Sequence, residues 1–210
     1  GFGGSLNGKK AGSFGDVGST SFFPAKPLGC YGDGGAIFTD NDKYFDILES
    51  IRIHGKGVNQ YDNVRLGING RLDTMQAAIL IPKLRILKHE IELRNKVAHL
   101  YNNNIRESFV KHHIPDGNTS VWSQYSILCD STEHRKIIMN KLKENNIPSA
   151  IYYSIPLHLQ KVFEHLGFRQ GDLPISENIS SKILSLPMHP YLEYNQINKI
   201  SDIVLEINHD

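Results

Sequence analysis

Only two cysteines, Cys30 and Cys129, occur in this chain of 210 residues. That is too few for a disulfide framework or a thiolate metal site, and two reduced thiols are the plain reading. Neither sign of charge is in excess: 23 basic and 22 acidic side chains give a net charge of +1. The chain therefore lacks the one-sided field that draws nucleic acid or an anionic membrane surface. No apolar run approaches the ~18 residues of a membrane span, and no secretory leader, internal repeat or low-complexity segment is visible. The early glycines form neither a GxGxxG fingerprint nor a GxxxxGK[ST] loop. The histidines, His112-His113 included, lack metal-ligand spacing with cysteines or carboxylates. What is present is 40% hydrophobic residues, enough for a sizeable core in one or two domains.

Glycine is unevenly spread, with 11 of 18 in residues 1–35. That region reads as turns and short strands with close backbone approaches. Ala36 to Thr39 reads as a short buried strand. Asp40 or Asn41 can cap a helix running to about Arg52, with Phe45, Leu48 and Ile51 on one face and Gly55 past its end. Asp73 can cap a second helix, which Pro82 is expected to kink or restart. Leu87, Ile91, Ala98, Tyr101 and Ile105 then keep helical spacing. Beyond residue 108 the pattern predicts a strand from Val121 to Cys129, a helix from Ser131 to Asn145 and a strand from Ser149 to Ser154. A last helix is predicted over Glu193–Ile207, with Ile197, Ile200, Val204 and Ile207 on one face. Alternating strands and helices predict layered α/β packing.

The most informative chemistry surrounds Lys26, in Thr20-Ser21-Phe22-Phe23-Pro24-Ala25-Lys26-Pro27-Leu28-Gly29. A lysine flanked by prolines, followed by Gly32-Asp33-Gly34-Gly35 and preceded by a serine five residues earlier, suits an amine that captures a carbonyl cofactor. A stiff backbone positions the nucleophile, and the hydroxyl offers a contact to a phosphate. In isolation, a lysine in a Gly/Pro loop is a solvated surface residue.

Five collinear strings move the reading beyond isolation: SFFPAKPLGCYGDGGAIFTD (21–40), RIHGKG (52–57), VRLGINGRLDTMQAAIL (64–80), YSIPLHLQ (153–160) and SLPMHPYL (185–192). The chain resembles the DegT/StrS-type sugar aminotransferases, enzymes that use pyridoxal 5′-phosphate (PLP). Within them it is most similar to the branch that aminates UDP-linked 3-keto sugars for bacterial surface polysaccharides, lipopolysaccharide among them. The resemblance implies an α/β chain of the fold type I (aspartate aminotransferase-like) PLP-dependent transferases. Residues 1–107 would be the C-terminal part of the cofactor-binding large domain with its connecting helix, and 108–210 the small C-terminal α/β domain.

It also implies roles. Lys26 would be the Schiff-base lysine and proton carrier, and Ser21 a phosphate contact. Asn69 would reach the cofactor phosphate, and Arg71 the substrate, of a neighbouring subunit, in a cytoplasmic homodimer with shared sites. His54, Tyr153, His158 and His189 would line the nucleotide-sugar pocket, with glutamate as amino donor. Each has a plainer reading: Ser21 a local backbone hydrogen-bonder, Asn69 a turn residue, His54 a cation at a helix C-terminus, His158 a satisfied core histidine. Tyr152 and Ser154 replace a His and a Pro common in the family, which alters the expected sugar pocket.

The resemblance further sets Gly1 just after the family's Asp-x-x-Gln motif, whose aspartate pairs with the pyridine nitrogen. This chain is thus expected to be roughly the second half of such an enzyme, binding PLP weakly and turning over little alone. Two alternatives stand beside it: a non-catalytic fragment or partner subunit, and a PLP-dependent sugar dehydratase. The dehydratase needs a histidine where Lys26 stands.

Overall fold

The computed structural model describes residues 1–59, 61–105 and 109–207. The chain forms two compact units, one made of Gly1–Glu92 with Ile114–Ser123, the other of Leu93–His113 with Gln124–Asp210. The expected boundary at 107/108 lies outside the described residues. Among the described residues, no helix is long and apolar enough to cross a membrane.

The first unit opens with a hairpin, β1 (Ser5–Leu6) against β2 (Lys9–Lys10). Its turn is Asn7-Gly8, both at positive φ (49° and 79°), the pairing that matches the twist of the flanking strands. Ser5 also exchanges backbone hydrogen bonds with Thr119 at 3.0 and 2.9 Å. β3 (Gly18–Ser21) pairs antiparallel with β4 (Gly35–Phe38) in the register Gly18↔Phe38 to Ser21↔Gly35. The loop joining these strands carries Lys26. Beneath it Phe22, Leu28, Cys30, Leu80 and Leu87 form a core, flanked by Phe2, Ala36, Leu72 and Ile91.

Helix α1 (Asp42–Arg52) starts as expected, with the Asn41 side chain accepting from the Lys43 and Tyr44 N–H groups. Of its expected apolar face, Leu48 and Ile51 are half-buried and Phe45 is 55% exposed. Helix α2 (Thr74–Asn104) continues through Pro82, so the helix does not restart there. Proline removes one hydrogen bond from the ladder. Leu80 and Leu87, buried on either side of it, tie both flanking turns to the core. Burial of each is worth about 1.5–3 kcal/mol, comparable to the local penalty.

In the second unit β5 (Val110–Lys111), β6 (Tyr125–Leu128) and β7 (Ile183–Leu186) form an antiparallel sheet in the order β5-β6-β7. The strand expected over Val121–Cys129 is shorter, because Trp122 takes a positive φ of 48° that breaks extended pairing. The strand expected over Ser149–Ser154 reduces to one bridge, Ala150↔Ser185. Helix α3 (Thr132–Glu144) falls within the expected span, with the Ser131 side chain as its cap and Asn145 after its end. Helices α4 (Pro174–Lys182) and α5 (Tyr194–Glu206) complete the unit, α5 starting in a Glu193/Gln196 capping box.

Tyr101 and Tyr125 stack at 4.7 Å in this core, among Ile127, Ile138, Leu142, Leu184, Ile197 and Val204. Their hydroxyls are satisfied by the Pro187 carbonyl (3.0 Å) and the Asn102 side chain (2.7 Å). Burial therefore raises both phenol pKa values without stranding a polar group.

Candidate active site

The loop carrying Lys26 is fixed by its own backbone. Phe22 N–H donates to the Gly34 carbonyl and Cys30 N–H to the Phe22 carbonyl, each at 2.8 Å. Inside that ring Lys26 N–H donates to the Phe23 carbonyl at 2.8 Å, closing a turn with Pro24 and Ala25 at its corners. The Cys30 thiol, fully buried, donates toward the Phe22 and Gly32 carbonyls, 3.0 Å from each. Gly29 is required where the loop crosses itself: a Cβ there would lie 2.6 Å from the Pro24 oxygen and 2.7 Å from that of Phe23. The expected stiff backbone around the lysine is thus present.

Lys26 and Ser21 line one cavity of ≈ 190 Å³, together with Gly1, Phe2, Ser19, Thr20, Pro27, Leu28 and Ser123. Ser21 Oγ accepts the Phe23 N–H at 3.2 Å, so the local backbone role holds, and its own hydrogen remains a donor. Ser19, Thr20 and Ser123 add three hydroxyls that the matched strings do not single out. Ser19 and Ser21 share one face of β3 by the two-residue period of a strand, which is the signal that could have paired them. A lysine and four hydroxyl-bearing residues lining one cavity suit an anionic ligand with a group for an amine to attack.

Asn69, Arg71 and His54 are not among the residues lining this cavity. They lie on an exposed doubled segment in which His54 N–H donates to the Ile68 carbonyl (2.9 Å) and Gly70 N–H to that of Arg52 (2.8 Å). The two strands of this arm touch at Gly55 and Gly67. A Cβ on Gly67 would fall 2.0 Å from the Gly55 nitrogen. Arg71 Nε donates to Asn69 Oδ1 at 3.1 Å, a bond that does not use the Asn69 amide N–H groups. Val58, Tyr61, Leu66 and Ile68, on the same arm, are 97, 90, 95 and 64% exposed.

The remaining candidates belong to the second unit. Tyr153 is exposed. His158 is buried, and its Nε2 meets Glu177 Oε1 at 2.9 Å. The same carboxylate accepts the N–H groups of Gly171 (2.9 Å) and Leu173 (3.3 Å). The Gly171 bond, then the bond to His158, holds Glu177 below its ordinary pKa. This placement favours the core-histidine reading of His158, which staples the helical turn Leu157–Leu159 to the start of α4. His189 is exposed, with Nδ1 accepting the Tyr191 N–H at 3.2 Å. Partial desolvation, then the neighbouring Arg94 charge, lowers its pKa, so the ring favours its neutral form.

The family model of the DegT/DnrJ/EryC1/StrS aminotransferases matches residues 1–205. A UDP-2-acetamido-2-deoxy-3-oxo-D-glucuronate aminotransferase of Pseudomonas aeruginosa is 42% identical, over 95% of this chain and 54% of its own length. A UDP-N-acetyl-3-dehydro-alpha-D-glucosamine 3-aminotransferase of Acidithiobacillus ferrooxidans is 36% identical, over 99% of this chain and 55% of its own. The crystal structure of a DegT DnrJ EryC1 StrS aminotransferase from Brucella abortus superposes with a TM-score of 0.93 at 48% identity, covering this whole chain and 55% of that one. The chain thus spans about half the length of the relatives it matches. With a family model across nearly its full length and the fold type I architecture of its solved relatives, the chain belongs to the DegT/DnrJ/EryC1/StrS aminotransferase family.

Proposed function

We propose that the protein to which this chain contributes transfers an amino group from glutamate to a UDP-linked 3-keto sugar, with PLP as cofactor, in the making of surface polysaccharide. The observation that carries this reading is the convergence of Lys26 and Ser21 on one cavity in a chain 42% identical to a UDP-3-oxo-sugar aminotransferase. The cavity fits the cofactor's chemistry: an amine for its aldehyde, and hydroxyls on β3 and at Ser123 for its phosphate oxygens. Lys26, Ser21 and, from a second copy, Asn69 are the residues proposed to hold it. When bound, PLP supplies an aldehyde to an amine and an electron-withdrawing ring to the carbon being deprotonated.

The chain's own residues do the rest. The closed turn Phe23–Lys26 limits where the Lys26 side chain starts, so its Nζ is presented to the cavity at low entropic cost. With its amine free, Lys26 Nζ would take a proton from the α-carbon of the donor and deliver it to the cofactor's former aldehyde carbon, two atoms away. Ser19, Thr20, Ser21 and Ser123 offer neutral donors to an anion without adding a competing cation. The exposed arm supports a homodimer with shared sites. It carries Asn69 with free amide donors beside apolar side chains, where a second subunit would bury both. Arg71, His54, Tyr153 and His189 are proposed contacts to the nucleotide sugar.

The test is Lys26→Ala in the full-length protein. The variant is expected to lose the borohydride-stable cofactor adduct on the Lys26 peptide and all measurable transamination. Near wild-type turnover without Lys26 would refute the mechanism.

A further inference from the structure

We infer that Lys83 and Gln76 of helix α2 are positioning residues for Lys26, fixing the loop that carries it from outside. The inference rests on the aminotransferase reading. Lys83 Nζ donates to the Gly29 carbonyl at 2.6 Å and stands 4.7 Å from the centre of the Tyr31 ring. Gln76 Oε1 accepts the Tyr31 N–H at 2.8 Å. The two residues are seven apart, two turns of helix. With Leu80 and Leu87, both in the core under the loop, they form one stripe along α2.

The apolar members of that stripe hold the loop's weight, and the polar members hold its register. A half-buried ammonium that trades water for one carbonyl and one ring face makes a short, charge-assisted, directional contact. Its acceptor is well chosen. Gly29 packs against the Pro24 and Phe23 carbonyls, and the Phe23 carbonyl accepts the Lys26 N–H. A displacement of Gly29 therefore passes directly into the turn that aims Lys26. Gln76 reaches Tyr31 over Gly32, where a Cβ would come 3.0 Å from its Nε2. Sequence spacing alone shows none of this, because Lys83 reads as one more solvated helix lysine.

The experiment uses the full-length protein and its half-reaction with glutamate alone, followed by loss of the cofactor's visible absorbance. Limiting rate and half-saturating glutamate are read per borohydride-trapped site. Lys83→Met is expected to lower the limiting rate about 10- to 100-fold, with half-saturation within about threefold. Lys83→Arg, which can still donate and stack, is expected to recover most of the loss, and Gln76→Leu to show a smaller loss of the same kind. A merely structural role would reduce the number of trapped sites and leave the rate per site unchanged. That result, or Lys83→Arg behaving like Lys83→Met, overturns the inference alone. A wild-type protein that never traps cofactor on Lys26 overturns the aminotransferase reading and this inference with it.

Discussion

Replacing Gly29 by alanine adds one methyl group where the Lys26 loop crosses itself. The new Cβ would sit 2.6 Å from the Pro24 carbonyl oxygen and 2.7 Å from that of Phe23. Carbon–oxygen contacts of this kind relax at about 3.3 Å or more, so each side is short by roughly 0.6–0.7 Å. Neither oxygen belongs to a flexible side chain. The backbone must shift, against the Lys26 to Phe23 and Cys30 to Phe22 hydrogen bonds and against a fully buried Cys30. Overpacking of this kind costs about 1–3 kcal/mol. In a protein of this size or larger that lowers Tm by roughly 2–10 °C. A sub-ångström displacement of the lysine's anchor should also slow the glutamate half-reaction by about tenfold or more. Gly15→Ala serves as control, since its nearest neighbour beyond the adjacent residues is the Val17 oxygen at 3.8 Å. Melting curves and single-turnover rates of the two full-length variants decide the matter. A Gly29→Ala protein that melts and reacts like Gly15→Ala would refute the account of the loop as a self-packed mount for Lys26.

Two further outcomes follow from the site. Ser21→Ala removes the proposed phosphate donor and the acceptor of the Phe23 N–H, and is expected to weaken PLP binding about 10- to 100-fold in a cofactor titration; unchanged affinity would leave Ser21 with its local role only. The second concerns acid. Glu177 has its pKa depressed in the folded state, so its contribution is full above its ordinary pKa of 4.5 and is lost as pH falls through the lower folded value. Wild-type protein is expected to lose stability below pH 4.5, and Glu177→Gln, weaker at neutral pH, to show a flatter profile there. Parallel profiles in a pH series of thermal melts would contradict the staple assigned to His158 and Glu177.

Local chemistry was legible in the sequence wherever it was self-contained. Asn41 caps the helix that its side chain suggests, helix α3 falls within its expected span, and the Gly/Pro punctuation around Lys26 corresponds to a closed turn. Features set by distant partners were not. Pro82 passes inside a continuous helix because Leu80 and Leu87 are held by a core assembled from residues 22–30. Helix α4 is short and polar, and its two isoleucines, Ile175 and Ile179, are exposed. Ser123 reaches the Lys26 cavity from a segment about a hundred residues along the chain, which no spacing rule connects to it.

That returning segment also governs how the chain can be divided. The backbone passes between the two units three times, after Glu92, His113 and Ser123. Neither unit is therefore a continuous stretch that could be excised by one cut. A fragment ending at residue 107 would lose Thr119, the backbone partner of Ser5, and Ser123 from the cavity wall. During synthesis the first unit stays unfinished until residue 123 has emerged, by which point the second has begun to be made. Closure over so long a loop makes late joining of β1 to Thr119 a slow step. Genetic dissection of the protein will succeed only if 114–123 is kept with the glycine-rich start of the chain, through a linker or a circular permutation.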